Sequence, residues 1–276
     1  MRGSAFFEDV RQIDIEVGGQ PGKAPTFYYD GASMTAVFAA RYGRLRDLMP
    51  DPRYVPARIA PGLGAVAVTC LEYRDTDIGP YDELAISIPL NVPHFRANLP
   101  GRAMVQAARM RQQHVHVLHL PVTTDVALRG GVDFYNFPKF IGQIDFSQTD
   151  AGWRCRLAEG REHILTLTGR RIDTGDGRRI SQFCHLWMEG QPQLAEFKLN
   201  QLEVGSTWRR GAAELELADR HPIAAELGRL IVSRTPMLYE YNPRLEAILF
   251  SPEHATLPLI RRGLAASEAV RNRVRG

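Results

Sequence analysis

Lysine is scarce in this chain of 276 residues. Of its 34 basic residues, only Lys23, Lys139 and Lys198 are lysines, and the other 31 are arginines. An arginine side chain stays charged inside a protein, whereas a buried lysine can lose its proton and act as a base or a nucleophile. The strong preference for arginine therefore makes each remaining lysine a candidate for chemistry that arginine cannot perform.

Cysteines and long apolar segments are also scarce. The three cysteines, Cys70, Cys155 and Cys184, lie far apart in apolar, strand-like stretches, which is typical of reduced thiols in a cytosolic core. No two of them have the spacing of metal ligands. No apolar run reaches the roughly 18 residues of a membrane-spanning helix, and the first residues lack the apolar core of a signal peptide. We therefore expect a cytoplasmic protein with no membrane partner.

Several classes of binding and catalytic site are not indicated. The net charge is only +3 and both signs are mixed along the chain, so we expect no nucleic-acid partner. The sequence contains no dinucleotide or nucleotide phosphate loop, no Gly-x-Ser-x-Gly and no His-Glu-x-x-His. His114 and His116 share one face of a predicted strand, but no third ligand follows at a suitable spacing, so we expect no metal site.

The most unusual stretch that is present surrounds Lys139. The lysine lies between Pro138 and Phe140, and three further aromatic residues precede it. Apolar surroundings penalise the ammonium form of a lysine, and the neutral amine can condense with a carbonyl group to form a Schiff base. The alternative is a solvated loop lysine whose aliphatic stem lies on aromatic neighbours. The candidate aromatic wall consists of Phe134, Tyr135, Phe137 and Phe140.

A Schiff-base lysine needs a neighbouring group that moves protons. Glu83 follows Gly79-Pro80-Tyr81-Asp82 and begins an apolar strand, which places it at the rim of a possible pocket. The alternative is a solvated carboxylate at the end of a strand. The local sequence is compatible with both interpretations.

The hydrophobic pattern predicts an α+β domain at residues 26–250, between an N-terminal arm or loop (1–25) and a C-terminal helical tail (251–276). Many short strands with few helices favour a curved or closed, mostly antiparallel sheet. Glycine-rich breaks are predicted at Gly130-Gly131 and Gly175-Asp176-Gly177. The predicted helices are 30–49, 104–113, 121–128, 222–230 and 257–276. The predicted strands are 26–29, 65–73, 83–90, 114–120, 140–146, 153–157, 164–169, 180–188, 197–204 and 212–217.

The order of two motifs resembles the acetoacetate decarboxylase superfamily. Gly79-Pro80-Tyr81-Asp82-Glu83 precedes an Ile-Ser-Ile-Pro strand, and Asn136-Phe137-Pro138-Lys139 follows about fifty residues later. Leu48-Met49-Pro50, Pro56-Ala57-Arg58 and the stretch 211–217 also fit, so the resemblance spans roughly residues 26–240. It implies a conical β-barrel with a few short helices, Lys139 as the Schiff-base lysine and Glu83 as an assisting carboxylate. It further implies a small keto acid substrate, a homo-oligomer and no cofactor, since the lysine itself supplies the electron sink.

Three positions depart from the pattern of the true decarboxylases. Phe140 stands where they carry a second lysine, and Lys23 stands where they carry an arginine. Thr69 lies near the position at which they carry an upstream glutamate. Lys23 therefore joins the candidate substrate-binding residues. We expect decarboxylation of a β-keto acid through Lys139. The alternatives are an aldolase-dehydratase, retro-aldolase or hydratase acting on pyruvate-like keto acids, and a non-catalytic small-ligand-binding protein of the same fold.

Overall fold

The computed structural model describes residues 3–91, 98–188 and 190–252. The predicted terminal helix at 257–276 lies outside these ranges. The helices are α1 (Tyr42–Asp47), α2 (Arg102–Met110), α3 (Asp125–Tyr135) and α4 (Pro222–Leu230). The strands are β1 (Ile13–Val17), β2 (Gln20–Ala24), β3 (Thr26–Arg41), β4 (Arg58–Ala60), β5 (Leu63–Thr76), β6 (Tyr81–Pro89), β7 (Gln112–His119), β8 (Gln143–Thr149), β9 (Gly152–Glu159), β10 (Glu162–Arg170), β11 (Gly175–Met188), β12 (Gln191–Thr207), β13 (Ala213–Leu217) and β14 (Leu238–Leu249).

Seven strands close into a barrel. They run in the order β3-β14-β12-β11-β7-β6-β5, and β5 pairs back onto β3 to complete the ring. The β7–β11 pair is parallel and the other pairs are antiparallel. Closure leaves few free strand edges. The predicted α+β architecture, a closed and mainly antiparallel sheet with a few short helices, is confirmed.

A second sheet, in the order β13-β10-β9-β8, covers one outer side of the barrel. Side chains alternate between the two faces of a strand, and on β5 and β6 the alternation separates two environments. Val68 and Ile86 belong to the large core shared with the second sheet, whereas Leu71, Tyr73 and Tyr81 belong to a separate cluster inside the barrel. Glu83 is paired with Leu71 in the sheet and therefore faces the barrel interior.

The predicted helix at 30–49 is wrong, because most of this segment belongs to β3. Met34 and Phe38 are fully buried against the second sheet, as are three alanines between and beside them. The opposite face of β3 lines the barrel, so apolar residues occur on both faces and the strand period is hidden. Alanine also fits a helical pattern well. Only α1 (Tyr42–Asp47) is helical.

The predicted loop at 1–25 is also wrong in part, because β1 and β2 form a hairpin. Its turn is the predicted Gly18-Gly19 pair, and both glycines have positive φ angles, 56° and 80°. The strands were missed because the glycine and proline residues at 18–22 favour a loop, although Ile13, Ile15 and Val17 alternate with polar residues as in a strand. Among the described residues, no helix combines the length and the apolar character needed to cross a bilayer.

Two predicted glycine breaks lie inside regular elements. Gly130 and Gly131 fall within α3, which begins later and is longer than the predicted helix 121–128. Gly177 falls within β11, where an added Cβ would overlap the carbonyl oxygen of Gln201. In both elements glycine permits close approach of a neighbouring group, so it marks tight packing rather than a turn.

Candidate active site

The end of α3 determines the direction of the lysine segment. Asn136 takes the left-handed conformation (φ 51°) that commonly ends a helix, and its side-chain amide donates to the Trp187 carbonyl at 2.7 Å. The chain then runs extended beside residues 120–122. Two backbone hydrogen bonds fix this course: Leu120 N–H donates to the Pro138 carbonyl and Val122 N–H to the Phe140 carbonyl, both at 3.0 Å.

Backbone pairing brings this segment next to β6. Val122 forms one isolated bridge with Glu83 and another with Ile141. Glu83 and Lys139 are therefore separated by one intervening strand-like segment, although they are 56 positions apart in sequence. The Lys139 Nζ donates to the Glu83 Oε2 at 2.8 Å, and the two side chains are only 6% and 11% exposed. The expected proximity of these two residues is thus observed in the structure.

Gly131 provides the space through which the lysine side chain passes. A Cβ at this position would overlap Cδ and Cε of Lys139 and would lie 3.0 Å from Nζ. The helix therefore presents a gap on the side that the lysine stem crosses. This gives a physical reason for a glycine in the interior of α3, where glycine otherwise costs up to about 1 kcal/mol relative to alanine.

Three tyrosines surround the Lys139–Glu83 pair from inside the barrel. The rings of Tyr28 and Tyr73 lie 4.5 Å apart, those of Tyr73 and Tyr81 lie 4.9 Å apart, and the hydroxyls of Tyr28 and Tyr81 lie within 3.2 Å of each other. Burial raises the pKa of Tyr28 and of Tyr73 well above its usual value, and the negative charge of Glu83 raises each further. Burial also raises the pKa of Tyr81. The phenols thus stay protonated and can donate hydrogen bonds.

A cavity of about 50 Å³ opens beside the lysine. Its wall is mostly apolar, and among the described residues Lys139 is the one charged side chain on it. Glu83 lies behind the lysine and does not line the cavity. The wall consists of Ile15, Val17, Ala24, Thr26, Tyr28, Ile78, Tyr81, Ala127, Gly130, Gly131, Phe134, Tyr135, Lys139, Leu249 and Ser251.

Two of the five residues expected to bind substrate, Phe134 and Tyr135, lie on this wall. The other three do not. Phe137 is buried and stacks on Tyr135 at 5.4 Å. Phe140 follows Lys139 in extended chain, so its side chain points the opposite way and packs on the large core. Lys23 is exposed on β2, although its neighbour Ala24 reaches the cavity.

Sequence reasoning missed most of the cavity wall. Tyr81 could have been found, because it precedes Glu83 by two positions on a strand and therefore shares its face. Ile15, Val17 and Leu249 carry no local signal, since they reach the lysine only when the hairpin and the last strand are in place. His114 and His116 lie outside this wall; their ring nitrogens contact a ring nitrogen and the backbone carbonyl of His185, respectively.

Comparison with known proteins gives one family and several solved structures. Residues 25–247 match the acetoacetate decarboxylase (ADC) family. No curated protein matches the sequence significantly.

The similar structures share the fold at low sequence identity. An acetoacetate decarboxylase from Legionella pneumophila is 14% identical with a TM-score of 0.58, covering 82% of this chain and 85% of that one. The enduracididine biosynthesis enzyme MppR, complexed with pyruvate, is 14% identical with a TM-score of 0.57, covering 82% and 88%. An acetoacetate decarboxylase-like enzyme from Sphingomonas wittichii RW1 is 17% identical with a TM-score of 0.55, covering 86% and 96%.

Proposed function

The chain belongs to the acetoacetate decarboxylase family, and we propose that it is an enzyme whose Lys139 forms a Schiff base with a small keto acid, most readily a β-keto acid that it decarboxylates. The observation that carries this proposal is the buried Lys139–Glu83 pair, with Nζ and Oε2 2.8 Å apart, beside a mostly apolar cavity. A family resemblance alone would not specify the reaction, because relatives of one fold catalyse different ones.

Schiff-base formation requires the neutral amine, and in the proposed mechanism Glu83, which lies 2.8 Å from the Lys139 Nζ, transfers the protons. Starting from the ion pair, Glu83 accepts one proton from the ammonium group. The amine then attacks the ketone carbon, and a proton moves from nitrogen to oxygen to give a carbinolamine. Glu83 returns its proton to the hydroxyl, which leaves as water. The sum is ammonium plus ketone giving iminium plus water, and Glu83 is regenerated.

Decarboxylation follows from the electron demand of the iminium. The electron pair of the bond to the carboxyl group moves into the new enamine double bond, and carbon dioxide leaves. Protonation of the enamine carbon restores an iminium, which water hydrolyses to the product ketone and free Lys139. The loss of carbon dioxide converts an iminium and a carboxylate into two neutral species, the enamine and carbon dioxide. A low-polarity cavity favours such a step, because the charged state loses more solvation there than the neutral one.

A second candidate is condensation and dehydration, or the reverse cleavage, of pyruvate-like keto acids. It is favoured by the similarity to MppR, whose solved structure contains pyruvate. Phe140, in place of the second lysine of the true decarboxylases, also favours it. Both reactions share the same iminium and differ in whether carbon dioxide or a proton leaves the adjacent carbon.

Borohydride trapping tests the shared step. The protein is incubated separately with acetoacetate and with pyruvate, reduced, digested and analysed by mass spectrometry. The expected adduct lies on Lys139, while Lys23, which is exposed, and Lys198, which lies 4.8 Å from the Phe250 ring centre, serve as internal controls. Carbon dioxide release from acetoacetate supports decarboxylation; a pyruvate adduct that condenses with an added aldehyde supports the second candidate. An absence of adducts with both acids would indicate a non-catalytic binding protein.

A further inference from the structure

The hydroxyls of Tyr28 and Tyr81 form a pair inside the barrel, and both residues line the cavity beside Lys139. The two oxygen atoms lie 3.2 Å apart, and the two residues are only 4% and 5% exposed. Two phenols carry two O–H hydrogens, and only one of them can lie between the two oxygens. Among the described residues, neither hydroxyl has a second hydrogen-bond partner. The pair therefore has one unused donor, and a buried donor without an acceptor is costly.

The phenol pair and Glu83 lie on different sides of the reacting amine. The ring centre of Tyr81 lies 5.9 Å from the Lys139 Nζ. Glu83 contacts the same nitrogen at 2.8 Å but does not line the cavity. A ketone in the cavity thus meets the amine from the side of the phenols, with Glu83 beyond the amine.

Other hydroxyls on the wall are less suited to serve the ketone. The Thr26 hydroxyl already donates to the Lys23 carbonyl at 3.0 Å. Ser251 is only partly buried, so water can satisfy its hydroxyl. The competing phenol is Tyr135, which packs in a separate cluster with Cys184. A phenol that accepts a hydrogen bond from another phenol is polarised and donates more strongly than a single one, which favours the pair.

We propose that the Tyr28–Tyr81 pair donates its unused hydrogen bond to the ketone oxygen of the substrate, and that the two phenols are catalytic residues. As the amine adds to the ketone carbon, the electrons of the carbonyl double bond move onto the oxygen, and the hydrogen bond strengthens with the growing negative charge. The protons still move through Glu83 as described above, so the phenols gain and lose none. This inference rests on the proposed function.

The proposal assigns the phenols to particular steps. The ketone oxygen leaves as water when the iminium forms, and an oxygen returns only when water hydrolyses the product iminium. The phenols therefore assist the formation and the hydrolysis of the Schiff base, and they have no oxygen to stabilise during the loss of carbon dioxide.

Oxygen exchange isolates these steps. Acetone is incubated with the protein in water labelled with heavy oxygen, and mass spectrometry follows the label into the ketone. Exchange requires Schiff-base formation and hydrolysis but no loss of carbon dioxide. We expect the Tyr28→Phe/Tyr81→Phe variant to exchange roughly tenfold to a hundredfold more slowly than the wild type. The rate at which borohydride-trappable adducts form with acetoacetate should fall in the same proportion.

Tyr29→Phe is the matched control for the loss of a hydroxyl. Tyr29 is the next residue on β3, so its side chain faces away from the cavity, and its hydroxyl donates to Asp77 at 2.8 Å. We expect this variant to lose stability with that hydrogen bond but to exchange oxygen and form adducts at the wild-type rate.

Alkylation by acrylonitrile separates hydrogen-bond donation from a positioning role. The Lys139 amine adds to one carbon of the double bond and its proton passes to the other, so no oxygen is present at the reacting centre. The double variant should be alkylated at Lys139 at the wild-type rate. A fall as large as the fall in oxygen exchange would show that the phenols hold the lysine in place, and it would overturn the proposal.

The remaining outcomes distinguish this inference from the proposed function. Wild-type rates of exchange and adduct formation in the double variant would overturn the role of the pair and leave the Schiff-base proposal intact. So would a loss found in Tyr135→Phe instead. If the double variant does not fold, the single variants decide, because at least one must slow exchange by roughly threefold or more. No exchange and no adduct in the wild type would overturn both proposals.

Discussion

Two buried pairs of titratable side chains lie on opposite faces of the barrel wall. Inside, Lys139 and Glu83 are oppositely charged partners 2.8 Å apart, and the lysine opens onto a cavity. Outside, His114 and His185 are joined at 2.9 Å between their ring nitrogens, with His116 and Tyr54 packed around them, and none of these side chains lines that cavity. Burial is therefore common to both pairs, and access to a cavity is what differs.

The two pairs also differ in their electrostatics. Burial, followed by the neighbouring His114 and His116, lowers the pKa of His185 to about 3. Burial also lowers the pKa of His116. His185 and His116 thus pack as neutral groups, whereas Lys139 donates a hydrogen bond to the carboxylate of Glu83 at 2.8 Å. A buried titratable group becomes a candidate for catalysis when a complementary group and a cavity accompany it.

Removal of the lysine amine should produce the largest difference between the two regions. Lys139→Met keeps the length of the side chain and removes the nucleophile, so kcat for the preferred keto acid should fall by roughly a thousandfold or more. Lys198→Met, on the outer barrel surface, should keep its activity. Steady-state carbon dioxide release measures both, and residual turnover by Lys139→Met above a tenth of wild type would exclude the amine as the nucleophile.

Glu83→Gln should have the second-largest effect on activity. The substitution keeps the shape and removes the proton acceptor, so kcat should fall by roughly a hundredfold, the usual range for a general acid–base group. It also leaves the Lys139 amine without its charged partner, which should lower the free energy of unfolding by roughly 3 kcal/mol. Urea denaturation of the Lys139→Met/Glu83→Gln double variant provides the control, because removing both charges should recover much of that loss. A strictly additive double variant would show that the pair is not coupled.

Gly131→Ala should have a smaller effect. The new Cβ overlaps the stem of Lys139, so we expect a loss of roughly 1–3 kcal/mol in unfolding free energy and about a tenfold lower kcat/KM as the amine shifts. Gly130→Ala is the neighbouring control, since its Cβ would meet only Val17, at 3.2 Å. In a Lys139→Ala background the clash disappears, and Gly131→Ala should then be neutral or stabilising. If it remains destabilising there, the glycine serves the backbone and not the lysine.

Several features of the candidate site and of the fold could be predicted from the sequence. The Lys139–Glu83 pair was predictable because two local motifs occur in a recognisable order, and α4 was predictable because Pro222 and an amphipathic pattern define it. Strands with one polar face, such as β9 and β10, were also predicted within a few residues of their bounds. Each of these features depends on a motif or a pattern whose own residues lie close together in the chain.

The rest depends on contacts that the local pattern does not contain. β3 was predicted as a helix because one of its faces packs on the second sheet while the other also carries the apolar residues Val37 and Ala39, which hides the strand period. The walls of the cavity come from the hairpin, α3 and β14, which are more than a hundred residues apart in sequence. Lys23 was assigned to the site by position in the chain, but strand alternation turns its side chain to solvent while Ala24 faces inward.

The smallest effect on activity is expected at the histidine pair, where the prediction concerns pH. His185 has a lowered pKa of about 3 in the folded protein, against an ordinary value near 6.5. Between these two values the unfolded chain binds a proton that the folded one does not, so the free energy of unfolding should fall as pH decreases below about 6.5. The expected contribution is roughly 1 kcal/mol between pH 6.5 and 5.5.

His185→Gln should reduce the dependence of the unfolding free energy on pH, measured by urea denaturation, without changing kcat at pH 7.5. The control His163→Gln alters a partly exposed histidine on β10 and should keep the wild-type dependence. An unchanged slope in His185→Gln would show that the acid sensitivity comes from other groups, and a loss of activity would show that the two faces of the barrel wall are coupled.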